Sequence, residues 1–172
     1  TDFCFKQFIE TAKQQTWFNN TIFVFVGDHG VEGESGSVYP KVWASHRLND
    51  EHVPLLYYAP ALLQPATYNY TVSQIDVLPT LAGMIHQPYT NSTLGRDVIN
   101  QPNIFHSAFI IHHDEGNIGM VTDDYYYVKN VNITHEELVP VKDGLPLLSQ
   151  QQSDSVKRRL SQLTSAFFET GK

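Results

Sequence analysis

The stretch Ile22–Gly30, which reads IFVFVGDHG, joins an apolar run to an aspartate and a histidine through a single glycine. A continuous run of β-branched and aromatic residues is typical of a buried core strand in a parallel sheet. Such sheets bind ligands beyond the carboxyl ends of their strands. Asp28 offers a carboxylate oxygen and His29 an imidazole nitrogen, a combination that suits zinc or manganese better than calcium. The stretch therefore predicts a core strand that ends in two metal ligands.

Asp28 and His29 also have two interpretations that involve no metal. His29 could hydrogen-bond within the turn while Asp28 caps the following segment. Asp28 could instead be a phosphoacceptor, but the haloacid-dehalogenase type needs a second aspartate two residues later, where this chain has Gly30. The preceding strand and the glycine-rich loop that follows favour metal ligation over both alternatives.

The composition is that of an ordinary globular domain, with 172 residues of which 41% are hydrophobic. A formal net charge of −7 argues against a nucleic-acid partner, and the short basic run Lys157–Arg159 is interpreted as a solvated helix face. Cys4 is the single cysteine, so no internal disulfide can form. No apolar run approaches the length of a membrane span.

Helices and strands are predicted to alternate along the first part of the chain. Apolar residues at helical spacing predict a helix over 2–16, which leads into the core strand at 21–27. A second apolar run predicts another buried strand at 53–59. Between the two strands, residues 30–51 read as a long loop, and loops of that length in compact domains are usually functional or disordered.

The pattern changes in the second part of the chain. A capping-box-like sequence at Ser73–Asp76 predicts a helix that continues to about Ile85. From 107 to 131, short strands with tight links predict an antiparallel meander. A last amphipathic helix closes the chain, and its apolar stripe consists of Val156, Leu160, Leu163 and Phe167.

Four segments resemble the alkaline phosphatase and sulfatase superfamily in order and spacing. Asn20–Gly30 is similar to its metal-binding strand, and His52–Pro60 to its "VPLL…AP" strand. Ser73–Gly83 resembles its "DLLPTLLxLAG" helix, and Thr93–Asp97 resembles the turn that follows. The resemblance covers residues 2–99 well and the remainder loosely. Within the superfamily, the chain looks most like the bacterial lipoteichoic acid synthase (phosphoglycerol transferase) branch.

The resemblance implies an α/β fold, a partial alkaline-phosphatase-like sandwich with core parallel strands flanked by helices and a small antiparallel C-terminal sheet. Residues 1–104 would be the C-terminal part of the catalytic core, and residues 105–172 the antiparallel strands and closing helix of the same domain. In the family, an acidic ligand and a Thr, Ser or formylglycine nucleophile lie upstream of these segments, and no Cys-x-Pro-x-Arg signature occurs here. The chain is therefore expected to be inactive alone, as part of a larger domain whose N-terminal portion is its partner.

The same resemblance suggests further site residues. His46 and His52 flank the return from the long loop to the second strand, where the superfamily commonly places a metal-binding or substrate-binding histidine. Lys41 could neutralise an anionic substrate oxygen, and so could Arg47. For all four, a solvated surface position is the alternative. Asp76 resembles a recurrent family residue, but its place in a first helical turn is sufficient to explain it.

Two other histidine motifs are set aside. Residues 112–114 read His-His-Asp, but adjacent residues on a strand alternate faces and cannot all point at one ion. His135-Glu136-Glu137 begins like a zincin helix but has Val139 where the second histidine would stand.

The expected function is metal-dependent transfer or hydrolysis at a phosphate or sulfate ester, phosphoglycerol-transferase-like or sulfatase-like. Asp28 and His29 would bind the divalent cation, which could be Mn, Zn, Ca or Mg. The substrate would be anionic and either lipid-linked or glycan, at the periplasmic or extracellular face of a bacterial cytoplasmic membrane to which the parent is anchored. The competing class is a non-catalytic pseudoenzyme or binding module that retains the fold.

Overall fold

Helices and strands alternate in the first half of the chain, and four consecutive strands with a long helix follow. The computed structural model describes residues 2–34, 36–101 and 103–171. The helices are α1 (Asp2–Ala12), α2 (Lys41–Ser45), α3 (Leu48–Glu51), α4 (Val77–Met84) and α5 (Gln150–Thr170). The strands are β1 (Phe23–Val26), β2 (Leu55–Tyr58), β3 (Ser107–His112), β4 (Asn117–Thr122), β5 (Tyr125–Asn130) and β6 (Glu136–Pro140). The predicted α/β class with a C-terminal antiparallel sheet is confirmed.

The chain divides into two compact units. Unit 1 comprises Thr1–Gly30 and His52–Tyr68, and unit 2 comprises Val31–Glu51 and Asn69–Lys172. The expected boundary at residue 104 concerns a larger catalytic domain and stays a prediction. Among the described residues, no helix combines the length and the apolar character that a membrane span requires.

Unit 1 consists of α1 and the two-stranded sheet of β1 and β2. Phe5 and Phe8 of α1 contact Phe25 of β1 edge-on, at ring-centroid distances of 5.1 and 6.3 Å. The helix is shorter than predicted because tight turn bonds replace helical ones after Ala12, where Gln15 donates its N–H to the Ala12 carbonyl at 2.9 Å. Aromatic edge-to-face packing thus joins the helix to one face of the sheet.

The expected parallel arrangement of the two core strands is wrong. β1 and β2 pair in antiparallel fashion, with Phe23 opposite Tyr58 and Val26 opposite Leu55. The apolar run shows that both faces of a strand prefer burial, but it carries no information about the direction of the neighbouring strand. Neither strand is buried on both faces, because every residue of β1 and β2 is half-buried or exposed.

Unit 2 is built on the sheet β3-β4-β5-β6, in which each strand pairs antiparallel with the next. Tyr126 and Tyr127 are adjacent on β5 and point to opposite faces, as strand geometry requires. Tyr127 packs with Met120 and Leu160 beneath α5, and Tyr126 lies in the core cluster that includes Leu48 of α3. The predicted meander and the apolar stripe of the closing helix are confirmed.

Two features of unit 2 differ from the sequence-based expectation. The loop predicted over 30–51 contains α2 and α3, and Trp43 of α2 donates its indole N–H to the Val141 carbonyl at 2.8 Å. The sequence does not predict β6, because it is a sheet edge whose Glu136 and Glu137 are exposed, which hides any alternating pattern. The second half of the loop is therefore part of a packed layer on the four-stranded sheet.

The helix motif around α4 and the turn that follows it interlock in unit 2. Asp76 is 1% exposed and receives two bonds from the Arg96 guanidinium, at 2.8 and 3.1 Å, and one from the Arg96 backbone at 2.7 Å. Arg96 also donates to the Ser107 carbonyl at 2.6 Å, at the start of β3. The predicted capping box is present, with the Ser73 N–H donating to Asp76 at 2.9 Å. Asp76 is thus a structural residue.

We expect Arg96→Met to lower the free energy of unfolding of unit 2 by about 3–5 kcal/mol, because it leaves the Asp76 carboxylate as an uncompensated buried charge. Urea denaturation followed by Trp43 fluorescence measures this, in a Trp17→Phe background that removes the other of the two tryptophans. The matched control is Arg158→Met on the exposed side of α5, which should change stability by less than about 0.5 kcal/mol. Equal effects of the two substitutions would contradict the structural role of the ion pair.

Candidate functional site

The end of β1 lies close against the segment that precedes β2. The Gly27 N–H donates to the Pro54 carbonyl at 3.2 Å, which extends the pairing of the two strands by one step. A Cβ atom at Gly27 would lie 2.9 Å from the Cβ of Val53, closer than side chains tolerate. The close approach therefore requires glycine at position 27, and Asp28 and His29 follow directly after it.

Asp28 and His29 project from the strand end into solvent, with side chains 92% and 79% exposed. The His29 backbone N–H donates to Asp28 Oδ1 at 3.0 Å, and His29 Nδ1 lies 2.8 Å from the Gly30 carbonyl oxygen. Because a carbonyl oxygen only accepts, Nδ1 carries the hydrogen in this contact. In the neutral imidazole, the lone pair is then on Nε2, which lies 4.0 Å from Asp28 Oδ2.

The donor atoms of this pair fit a divalent cation. Two ligands of one tetrahedral ion at ordinary bond lengths are about 3.4 Å apart, so a small rotation of either exposed side chain brings Nε2 and Oδ2 to that separation. The Gly30 carbonyl orients the ring in the way that outer hydrogen bonds orient metal-binding histidines. Across residues 2–34, 36–101 and 103–171, no group of three or more His, Cys, Asp or Glu residues could hold a metal ion. These residues therefore supply at most a two-ligand part of a coordination sphere.

The surroundings of His29 favour its protonated form. The hydrogen bond to the Gly30 carbonyl raises the pKa of His29 above its ordinary value, and the charge of Asp28 raises it further. Desolvation opposes the shift but is the smallest of the three causes. The same contacts that orient the ring thus also strengthen its affinity for a proton.

His52 lies in unit 1 at the end of the sheet that carries the pair. It is exposed and stands two residues before Pro54, whose carbonyl accepts the Gly27 N–H. Asp28 and His52 therefore flank the same end of the β1–β2 sheet. This placement agrees with the role expected for His52, which stays a prediction.

Lys41 and His46 belong to unit 2. Lys41 begins α2 and is exposed, whereas the side chain of His46 is only 19% exposed. The His46 ring contacts Tyr126 edge-on at 5.8 Å, and its Nε2 lies 3.8 Å from Glu137 Oε2. These contacts support a packing role for His46 on the sheet, and substrate binding by either residue stays a prediction.

Arg47 is the centre of an ionic cluster in unit 2. Its guanidinium contacts Asp50 at 2.9 Å, Asp114 at 2.8 Å and Glu115 at 3.3 Å. The Arg47 hydrogen bond lowers the pKa of Asp114. Arg47 also has a φ of 53°, a left-handed conformation that is uncommon outside glycine and asparagine. Its charge is engaged by these carboxylates, which tie α3 to the β3–β4 turn.

The residues His112, His113 and Asp114 point in different directions. His112 is buried with Nε2 at 3.3 Å from Glu51 Oε1, His113 is exposed, and Asp114 contacts Arg47. β3 ends at His112, and His113 and Asp114 lie in the turn that follows, so the three side chains are not held on one strand face.

The family model for sulfatases matches residues 1–86, which is half of the 172-residue chain. The chain belongs to the sulfatase family, as the resemblance of its motifs implied. The matched range contains α1, β1, β2 and α4 together with Asp28 and His29.

A solved structure shows the same fold. The crystal structure of the lipoteichoic acid synthase LtaP from Listeria monocytogenes is similar with a TM-score of 0.58 and 18% sequence identity. The similarity covers 94% of this chain and 41% of the LtaP chain, so the chain spans less than half of that protein. The comparison with curated proteins gave no match.

We expect His29 to titrate above the ordinary pKa of a histidine, and Asp28→Asn to lower its pKa only in part, because the Gly30 hydrogen bond remains. The pKa can be followed in metal-free buffer through the Hε1 chemical shift in NMR spectra. A short unstructured peptide that contains one histidine serves as the reference. An Asp28→Asn variant whose His29 titrates at the reference value would show that the carbonyl contact is absent in solution.

Proposed function

We propose that this chain is part of a metal-dependent enzyme that acts on phosphate or sulfate esters, with Asp28 and His29 as two of the metal ligands. The observation that carries the proposal is the arrangement of the pair at the strand end. A carboxylate oxygen and the lone pair of a tautomerically fixed imidazole stand 4.0 Å apart and are open to solvent. Membership of the sulfatase family supports the reaction class.

Each residue has a defined task in this proposal. The Asp28 carboxylate and His29 Nε2 hold the cation, and the Gly30 carbonyl keeps the imidazole in the binding tautomer. A bound divalent cation supplies charge stabilisation for the oxygens of the transferred group. His52 and Lys41 are candidates for contacts with the anionic substrate. Oxygen and nitrogen donors together favour manganese or zinc, with magnesium and calcium as further candidates.

We assign the nucleophile to a part of the longer protein beyond these 172 residues. The 41% coverage of the LtaP chain leaves room for such a part. On this proposal, the 172-residue chain has no activity by itself. The similarity to a protein described as a lipoteichoic acid synthase favours a phosphoglycerol-transferase-like reaction on a lipid-linked or glycan substrate, at the outer face of a bacterial membrane. Hydrolysis of a sulfate ester is the second candidate, favoured by the family match.

We expect Asp28→Asn and His29→Gln each to weaken Mn²⁺ and Zn²⁺ binding by the longer protein by more than about 100-fold, since loss of a direct ligand should exceed the roughly 10–100-fold effect of outer-shell changes. Titration calorimetry on metal-free protein measures the affinity. His113→Gln is the matched control, because His113 is exposed in the turn between β3 and β4. Unchanged affinity in the Asp28 variant would refute the metal assignment.

A pseudoenzyme that keeps the fold is the competing hypothesis, and turnover separates it from the enzyme. The longer protein, loaded with Mn²⁺ or Zn²⁺, would be assayed with phosphodiester, phosphomonoester and sulfate-ester substrates. Turnover that disappears in the Asp28 and His29 variants supports the enzyme, and the preferred ester identifies the reaction. Metal binding without any turnover supports the pseudoenzyme.

A further inference from the structure

His112 is a buried histidine that the proposed ester chemistry does not use. It is the last residue of β3 and is 6% exposed. Its Nε2 atom has no hydrogen-bond partner among the described residues. An unpaired buried polar atom destabilises a protein, and such atoms in native structures commonly contact a water molecule or an ion. The Nε2 atom of His112 is therefore a candidate ligand atom in unit 2.

The carboxylate of Glu51, the last residue of α3, faces this nitrogen. Glu51 Oε1 lies 3.3 Å from His112 Nε2, but the contact lacks the alignment of a hydrogen bond. Two ligands of one tetrahedral ion at ordinary bond lengths are about 3.4 Å apart, and each ligand atom is directed at the ion rather than at the other ligand. The separation and the misalignment together fit two ligands of one cation better than a direct hydrogen bond.

The chain on either side of the pair carries further negative charge. Three other carboxylates share the single guanidinium of Arg47, and they belong to Asp50, Asp114 and Glu115. Among the described residues, Glu51 forms no ion pair other than its contact with His112. Four carboxylates thus accompany one guanidinium, and this excess of negative charge attracts a cation.

We propose that His112 and Glu51 are two ligands of a divalent transition-metal ion, represented by Zn²⁺. An imidazole nitrogen together with a carboxylate oxygen suits zinc and its neighbours in the first transition row, whereas calcium and magnesium prefer oxygen ligands alone. Because the described residues contain no group of three or more such ligands, water fills the remaining coordination positions. The ion connects the end of α3 to the end of β3. The proposal involves unit 2 alone and does not depend on the metal assignment at Asp28 and His29.

The test is a Zn²⁺ titration of the protein that carries Asp28→Asn and His29→Gln, so that the ligand pair of unit 1 does not contribute. The Hε1 resonance of His112 in NMR spectra reports binding at this histidine alone. We expect a saturable shift of this resonance. Glu51→Gln should weaken the Zn²⁺ affinity by more than about 10-fold, because loss of a direct ligand costs at least as much as an outer-shell change. The Glu51 side chain is 44% exposed, so this substitution leaves the core of unit 2 intact.

Glu137→Gln is the matched control for Glu51→Gln. Glu137 also faces a histidine of unit 2, since its Oε2 atom lies 3.8 Å from His46 Nε2. The control removes the same charge from unit 2 and should leave the Zn²⁺ affinity measured at His112 unchanged.

Two results would overturn the proposal. The first is a His112 resonance that does not respond to millimolar Zn²⁺ in the folded protein, which would identify the contact as an ion pair between a protonated imidazole and Glu51. The second is an equal Zn²⁺ affinity at His112 with and without the Glu51 carboxylate, which would assign the ion to other groups. Because Asp28 and His29 are substituted in every sample, failure here is distinguishable from failure of their metal assignment.

Discussion

The buried ion pair between Asp76 and Arg96 is the interaction on which the architecture of unit 2 depends. Asp76 begins the helical motif by accepting the Ser73 N–H, and Arg96 extends from the following turn to the first residues of β3. One carboxylate thus caps a helix, receives a guanidinium and holds a turn. A charge that is 1% exposed is tolerable only because all of these donors are present. The Asp76–Arg96 ion pair therefore joins the two family motifs, at 73–83 and 93–97, into one structural unit.

Close approach between chain segments constrains the same motifs and the candidate site. A Cβ atom at Gly95 would overlap the Ile75 carbonyl oxygen, and one at Gly83 would overlap the Asp97 carboxylate. Gly27 has the equivalent task in unit 1, where Val53 leaves no space for a side chain. In each place, a glycine lets two segments meet. The glycine before Asp28 is thus explained by packing, independently of any metal chemistry.

Sequence-based prediction succeeded where the deciding interactions are local and failed where they join distant parts of the chain. The capping box at Ser73 and the apolar stripe of α5 are local patterns, and the structure confirms both. The antiparallel pairing of β1 and β2 depends on where the chain returns after residue 51, and an apolar run does not encode this. The edge strand β6 escapes prediction because edge strands carry exposed charges that break the alternation. For the site, the sequence located Asp28 and His29 at a strand end, but the orientation of His29 by Gly30 is visible only in three dimensions.

Unit 1 exposes both the Asp28 and His29 side chains at the end of β1 and apolar side chains of α1 beside the same strand. Water around Asp28 and His29 screens their charges, and an ion held by two exposed ligands keeps most of its coordination to solvent. Along the same strand, the surface between α1 and β1 that is lined by Cys4, Phe5, Phe8 and Phe25 leaves Phe5 and Phe8 45% and 50% exposed. Burial of this face would stabilise β1 by removing apolar surface from water. On the proposed metal assignment, burial of this face would also hold in place the strand from whose end Asp28 and His29 project.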